Sequence, residues 1–418
     1  MTTRMPIFTQ PIPLSIYIHL PWCIRKCPYC DFNSHEIKGN LPEAIYTNAL
    51  LNELHKALPF IAGRPIISLF FGGGTPSLFS PMMIEKIIDG IAKVLPLSTH
   101  TEITLEANPG TVEQTRFKDF RNAGINRLSL GIQSLQNDKL SSLGRIHNAD
   151  EALRAIAITK AVGFTDFNLD LMFGLPNQSQ EDALYDLKTA LSFEPTHLSW
   201  YQLTIEQNTV FYKHTPRLPH DETLEAMEVT GHALIAASHF QQYEVSAYAL
   251  NAHTRCKHNI NYWEFGDYLG LGAGAHSKLT LQKEASIIRL AQVKQPRDYM
   301  DASKRRTLHA ATPISQKEII FEFMLNALRL TEGVPLVLFT ERTGLSPNCI
   351  TPLLGAAQRR GLLVADDQLI LPSQLGKKYL NDLVEMFLEC SDPLSSRFSG
   401  GEGRGEEGRP TANHQTIE

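Results

Sequence analysis

Apolar residues recur along the first half of the chain in short runs separated by amphipathic stretches. The runs are SIYIHL (15–20), IISLFF (66–71), EITLEA (102–107), INRLSLGI (125–132), FNLDLMFG (167–174) and HLSWYQL (197–203). Each has the length of a strand. Between the first two, AIYTNALLNELHKAL places Leu51, Leu54 and Leu58 on one helical face. After the second, Ser80 followed by Pro81 marks a helix start, and Ile84, Ile87, Ile88 and Ile91 continue at helical spacing. Six strands alternating with helices predict an α/β fold, a parallel and partly closed βα barrel. In such a barrel the chemistry belongs at the C-terminal ends of the strands.

The pattern changes near residue 311. QKEIIFEFMLNALRL reads as a helix with Ile319, Phe323 and Leu330 among its apolar positions. Residues 335–340 and SPNCITPLLGAAQRRG predict two more short helices. LLVADDQLIL predicts a hairpin turning at Asp366-Asp367, and GKKYLNDLVEMFL a closing helix. Helices followed by a hairpin predict a mostly helical, winged-helix-like domain. Its basic residues Arg359, Arg360, Lys377 and Lys378 form only small pairs, so a packing or partner role is expected rather than DNA binding. Residues 391–418 are rich in Gly, Ser, Glu and Arg and are expected to be disordered. The expected organisation is a short extension over 1–14, the barrel core over 15–240, a connecting region over 241–310, the C-terminal domain over 311–390 and the tail. No internal repeat is evident.

Bulk composition narrows the class. A chain of 418 residues is too long for one ordinary core. Hydrophobic content of 43% with charged content of 20% describes a soluble globular protein. A net charge of −5 argues against a general nucleic-acid binder, and no nucleic-acid partner is expected. No stretch reaches the roughly 18 apolar residues of a membrane span, and the first fifteen residues do not read as a secretory signal. Six cysteines, three clustered and three scattered, fit a reduced cytoplasmic protein that uses cysteine for metal or catalysis.

The cluster is CIRKCPYC, with Cys23, Cys27 and Cys30. Structural zinc usually takes four ligands in two close pairs, and no second pair stands nearby. A 4Fe-4S cluster normally takes four thiolates, and with three it keeps one iron open to a small molecule. Other polar residues fall at or after the predicted strand ends. FFGGGTPS offers Gly73, Gly74 and Thr75 as a close backbone approach to a ligand, or as a plain tight turn. Glu106, Gln133, Arg145 and Asp170 each read alone as a cap or an ion-pair residue. Together they supply a guanidinium for a carboxylate, and acceptors for an amine and for hydroxyls.

The spacing C-x3-C-x2-C, with Tyr29 before the last cysteine, resembles the radical S-adenosylmethionine (SAM) superfamily. YIHLPWCIRKCPYCDFNSH, FGGGTPSL, EANPGT, LSLGIQS, YEVSAYA and HNINYWEFGDYLGLGAGAHS further resemble its oxygen-independent coproporphyrinogen III oxidase-like family, in the heme chaperone branch. The resemblance implies a radical SAM partial (βα)6 barrel. It implies a 4Fe-4S cluster on Cys23, Cys27 and Cys30, and SAM contacts from Tyr17, Gly73, Gly74, Thr75, Glu106, Gln133, Arg145 and Asp170. In the family, an electron from the cluster breaks the sulfonium bond of SAM and gives a deoxyadenosyl radical. The branch's HNxxYW motif (258–263) implies heme bound through His258, with Tyr262 and Trp263 against the macrocycle; alone, His258 reads as a hydrogen-bonded core residue. His253 and Cys256 beside it have no assigned role.

Two departures point away from the true oxidase. Phe32 stands where that enzyme has a further cysteine, and only sixteen residues precede Tyr17. The expected partners are therefore heme, heme-accepting membrane proteins such as respiratory enzymes, and a second copy of the chain in a homodimer. The expected place is the cytoplasm, peripheral at the membrane during delivery. The competing readings are a coproporphyrinogen III decarboxylase and a non-catalytic protein with a structural cluster.

Overall fold

A computed structural model describes residues 6–61, 63–111 and 114–388. The predicted tail over 391–418 lies outside the described residues. The described chain forms two compact units. One holds 10–262 and 266–313, and the other holds 6–9, 263–265 and the chain from 314 onward.

The first unit carries the six predicted strands: β1 (Leu14–Leu20), β2 (Ile66–Gly73), β3 (Leu97–Ala107), β4 (Arg127–Gln133), β5 (Phe167–Phe173) and β6 (His197–Gln202). They lie side by side in chain order, every neighbour parallel. Helices α1 (Glu43–Ile61), α2 (Pro81–Ala92), α3 (Gln114–Asn122), α4 (Ala149–Ala161), α5 (Gln180–Leu191) and α6 (Asp221–Ala237) alternate with the strands.

Side-chain alternation decides what faces where. Leu14, Ile16, Ile18 and Leu20 of β1 join the apolar core with Leu50 and Leu54 of α1 and Ile84, Ile87 and Ile91 of α2. Ser15, Tyr17 and His19 then point the other way, into the barrel. α1 buries Tyr46, Leu50, Leu54, Ala57 and Ile61, so its core face is rotated from the predicted one, and Leu51 and Leu58 are half-buried at its edge. α2 starts at Pro81 as expected, but Ser80 does not cap it. The Ser80 hydroxyl donates instead to Glu43 Oε2 at 2.6 Å, tying the start of α2 to the start of α1.

The sheet is wider than six runs imply. β7 (Ala247–Ala249) pairs antiparallel with β6 at one edge. At the other edge β8 (Asp267–Leu271) pairs parallel with β1, followed by antiparallel β9 (His276–Leu281) and β10 (Ser286–Ala291). These strands carry buried charges that break the apolar pattern. Asp267 is fully buried and accepts from Lys278 Nζ at 3.2 Å and Arg64 at 2.9 Å. Between β7 and β8 lies the short helix α7 (Lys257–Trp263).

The second unit contains α8 (Gln316–Ala327), α9 (Leu336–Thr343), α10 (Thr351–Arg359), α11 (Gln374–Lys378) and α12 (Leu380–Glu385). Ile319, Phe323 and Leu330 are buried in it. The predicted hairpin over 362–371 forms as a short pairing, with Leu363 bridged to Pro372, Val364 N donating to Leu371 O at 2.9 Å and Ser373 N to Leu362 O at 3.0 Å, while Leu369–Ile370 also pairs with Val334–Pro335. The predicted closing helix is broken at Tyr379, whose φ of −115° and ψ of 47° are not helical. Among the described residues no helix is long and apolar enough to cross a membrane.

Candidate functional site

The cysteine loop leaves the C-terminal end of β1. Trp22–Cys23 pairs in parallel with His35–Glu36, which closes the loop at its base. Within it, Cys30 N donates to Cys27 O at 3.1 Å, and Lys26 Nζ donates to Phe32 O at 2.8 Å. Cys23 is buried, whereas Cys27 and Cys30 are half-buried. Burial first, then the nearby Cys30 and Cys27 sulfurs, pushes the Cys23 thiol up to about 11, with Ser34 opposing. Burial also raises Cys30. Three thiolates held this close repel one another until a cation binds them. That donor set fits an iron–sulfur cluster. Each thiolate of such a cluster binds a different iron and need not converge on one point. Among the described residues no group of three His, Cys, Asp or Glu converges on a single metal ion.

Beside the loop lies the glycine strip Gly72–Gly74. Gly73 sits at φ +112°, a conformation that strains any other residue. A Cβ on Gly74 would come within 2.5 Å of the Trp22 carbonyl oxygen, so the glycine strip runs directly against the cysteine loop. Gly74 N donates to Leu20 O and Thr75 N to Trp22 O, fastening strip to loop. Gly73 N donates to Glu106 Oε2 at 3.3 Å. Asn108 bridges the next layer, donating to Thr75 Oγ1 at 3.0 Å and accepting from Arg145 at 2.7 Å. Arg145 also donates to Gly131 O at 2.6 Å and reaches Cys27 Sγ at 3.8 Å. Its Nε is buried without a hydrogen-bond partner. A cavity lined by Cys27, Thr75, Asn108, Arg145, Ile146 and His147 opens here. A half-buried cation with a buried unused donor beside the Cys27 thiol fits an anionic group bound at the cluster.

Deeper in the barrel, Tyr17 donates its hydroxyl to His19 Nδ1 at 3.1 Å, because His19 Nε2 donates to Asn33 O. Gln133 holds a positive φ of 67° at the end of β4, and its Oε1 accepts from Tyr201 at 3.0 Å. Asp170 accepts from Ser129 at 2.9 Å and Asn168 at 2.8 Å. Burial raises its pKa, with the bonds from Ser129, Ser199 and Asn168 opposing. Cys27, Thr75 and Arg145 thus share one cavity, with Gly73, Gly74 and Glu106 bonded to its wall. Tyr17, Gln133 and Asp170 line the interior behind it. Asn108, His147 and Glu102 were not singled out from sequence. Asn108 stood within EANPGT, and Glu102 shares the inward period of Glu106.

His258 lies away from this cavity. Its imidazole sits inside the barrel at the N-terminal ends of β1 and β2, 2% exposed. Ser68 donates to Ser15, so His258 Nδ1 donates to Ser68 Oγ at 2.9 Å. The ring stacks on Phe70 at 4.8 Å and meets the edge of Tyr262 at 4.9 Å. Burial, with the Arg127 charge adding, lowers its pKa to about 3. The neutral ring therefore leaves an Nε2 lone pair with no partner.

The radical SAM superfamily model matches residues 17–190, and the HemN C-terminal domain model matches 314–377. The heme chaperone HemW of Escherichia coli (strain K12) is 47% identical over 376 residues, covering 90% of this chain and 98% of the relative. The chain belongs to the HemW family. The Bacillus subtilis (strain 168) member is 33% identical over 385 residues, covering 90% of this chain and 99% of its own. Among solved structures, coproporphyrinogen III oxidase (HemN) from Escherichia coli superposes with a TM-score of 0.74 over 91% of both chains at 20% identity. That likeness establishes the α/β radical SAM fold. Every cysteine-loop and SAM-type residue named above, from Tyr17 to Asp170, falls inside the segment that the superfamily model matches. A HemW-family chain of this superfamily implies a 4Fe-4S cluster and SAM.

Proposed function

We propose that this protein is a heme chaperone that binds heme, one 4Fe-4S cluster and SAM, and passes heme to respiratory or other membrane haemoproteins. The observation that carries the reading is the 47% identity to a heme chaperone across 98% of that relative's length. Cys23, Cys27 and Cys30 hold the cluster. Arg145 takes the SAM carboxylate, Gly73 and Gly74 bring peptide groups close, and Glu106, Gln133 and Asp170 accept from its amine and hydroxyls. Tyr17 and Thr75 complete the wall. The cluster supplies the electron that cleaves SAM when cleavage occurs; these residues orient the cofactor and exclude water. The protein acts in the cytoplasm, docking at the membrane for delivery, with a second copy as a further partner.

His258 is the proposed heme ligand, and its geometry sets a condition. The Nε2 lone pair is available, and the Nδ1 bond to Ser68 favours it as a ligand. The ring is enclosed by Phe70 and Tyr262, so α7 must leave the interior before a macrocycle can reach it. The alternative, coproporphyrinogen III decarboxylation, draws only on a shared fold at 20% identity. One anaerobic experiment separates them. Reconstituted protein is titrated with heme, then assayed with coproporphyrinogen, SAM and a reductant. A saturable Soret band lost in His258→Ala and kept in Cys256→Ala, with no vinyl product, is expected. Vinyl product at a catalytic rate overturns the chaperone reading; an unchanged His258→Ala spectrum moves the heme site elsewhere.

A further inference from the structure

An unbroken hydrogen-bond chain crosses the barrel from Asp170 to the segment that carries His258. Asp170 Oδ1 accepts from Asn168 Nδ2 at 2.8 Å. Asn168 Oδ1 accepts from His197 Nδ1 at 2.7 Å. With that nitrogen protonated and the ring neutral, His197 Nε2 accepts from the Tyr243 hydroxyl at 2.8 Å. The Tyr243 oxygen accepts from Cys256 N at 3.3 Å. Every donor in the chain points toward Asp170. Burial, then the Arg127 charge, keeps His197 neutral, so its partners fix the tautomer. Asn168, His197 and Tyr243 are all 3% exposed or less.

The far end is a poised element. Cys256 leads into α7, whose Lys257 and His258 amides donate to Glu102 at 2.9 and 3.2 Å. The Cys256 thiol donates to the same carboxylate at 3.5 Å. Against these bonds, His258 Nε2 and the Tyr262 hydroxyl are buried without partners. Each such atom has lost its water partners and gained none in exchange. A segment docked against that cost opens more readily than the strands around it.

We propose that SAM binding at Asp170 loosens the segment Cys256–Tyr262 through Asn168, His197 and Tyr243. The proposal rests on the SAM reading given above. A ligand hydroxyl that donates to Asp170 shares the carboxylate charge with Asn168. Sharing weakens the Asn168 bond, and a polarised chain carries the weakening to Cys256 N. By linkage, freeing the segment tightens the ligand by the same factor. SAM occupancy thereby sets how firmly the histidine segment is held.

Hydrogen exchange on the reconstituted full chain, with and without SAM, tests this, with SAM affinity measured by calorimetry on the same samples. Peptides covering 250–262 should exchange about five-fold faster with SAM, the low end of measured site-to-site couplings. Tyr243→Phe removes one hydroxyl from the chain and should make that exchange indifferent to SAM. Tyr248→Phe, whose buried hydroxyl has no partner and lies outside the chain, should keep the response. Should Tyr243→Phe fail to fold, His197→Phe breaks the same chain one link earlier and is read the same way. Unchanged or slower exchange in wild type with SAM bound overturns the proposal, and so does a response that survives in the broken-chain variant. Absence of SAM binding in wild type sinks the functional reading itself, and the coupling with it.

Discussion

A thiol buried among other thiols is a poor place for negative charge. Cys23 illustrates this, pushed up to about 11 by burial and by the Cys30 and Cys27 sulfurs. Cluster binding must therefore release protons and relieve repulsion together. Any of Cys23→Ala, Cys27→Ala or Cys30→Ala should abolish a stable 4Fe-4S centre, since two thiolates do not hold it. Cys256→Ala should keep the centre, because that thiol donates to Glu102 inside the barrel. Iron and sulfide analysis with electron paramagnetic resonance reads the difference, and a full cluster in Cys27→Ala would refute the assignment. The three thiols were legible because their spacing is local. The role of Glu102 was not, because its partners stand more than 150 positions further along the chain.

At the scale of elements, the strands were legible wherever one face was continuously apolar, as in β1. They were missed where a buried face carries charge, as in β8 and β9 with Asp267 and Lys278. The C-terminal hairpin was legible in part: local alternation in LLVADDQLIL marks its two arms, but cannot show that Leu369–Ile370 also pairs with Val334–Pro335. The glycine strip was legible as a close approach, but not what it approaches. Its Gly74 abuts the Trp22 carbonyl one residue before Cys23. Gly74→Ala must therefore displace the cysteine loop. It should cost about 1–3 kcal/mol of stability, as overpacking does, and lower cluster content and SAM affinity together. Arg145→Ala separates the two effects. It should weaken SAM by roughly 1.5–3 kcal/mol, as loss of a charged hydrogen bond does, and leave the cluster loaded. Normal cluster content and SAM affinity in Gly74→Ala would mean the strip is a plain turn.

Across the whole molecule, the buried titrating groups oppose one another. His19, His147 and His258 are lowered to about 4, 3 and 3, chiefly by burial. Between those values and the ordinary 6.5, the unfolded chain binds more protons, so these rings make stability fall as pH falls. Glu53 runs the other way. It accepts from Tyr299, from Gln292 at 2.7 Å and from Gly272 N at 3.1 Å, binding α1 to the chain after β8. Burial nevertheless raises it from 4.5 to about 7, with those bonds opposing. Between 4.5 and 7 the folded state holds the extra proton, so this group's contribution to stability is lost as pH rises through that window. Glu53→Gln deletes that opposing slope. The variant should be less stable overall by about 1–3 kcal/mol, because the new amide cannot accept from all three donors. Its stability should also climb more steeply with pH between 4.5 and 7 than that of wild type. Urea midpoints taken across this range in both proteins decide the matter. Parallel curves would show that Glu53 stays ionised throughout, held by its three donors against the cost of burial.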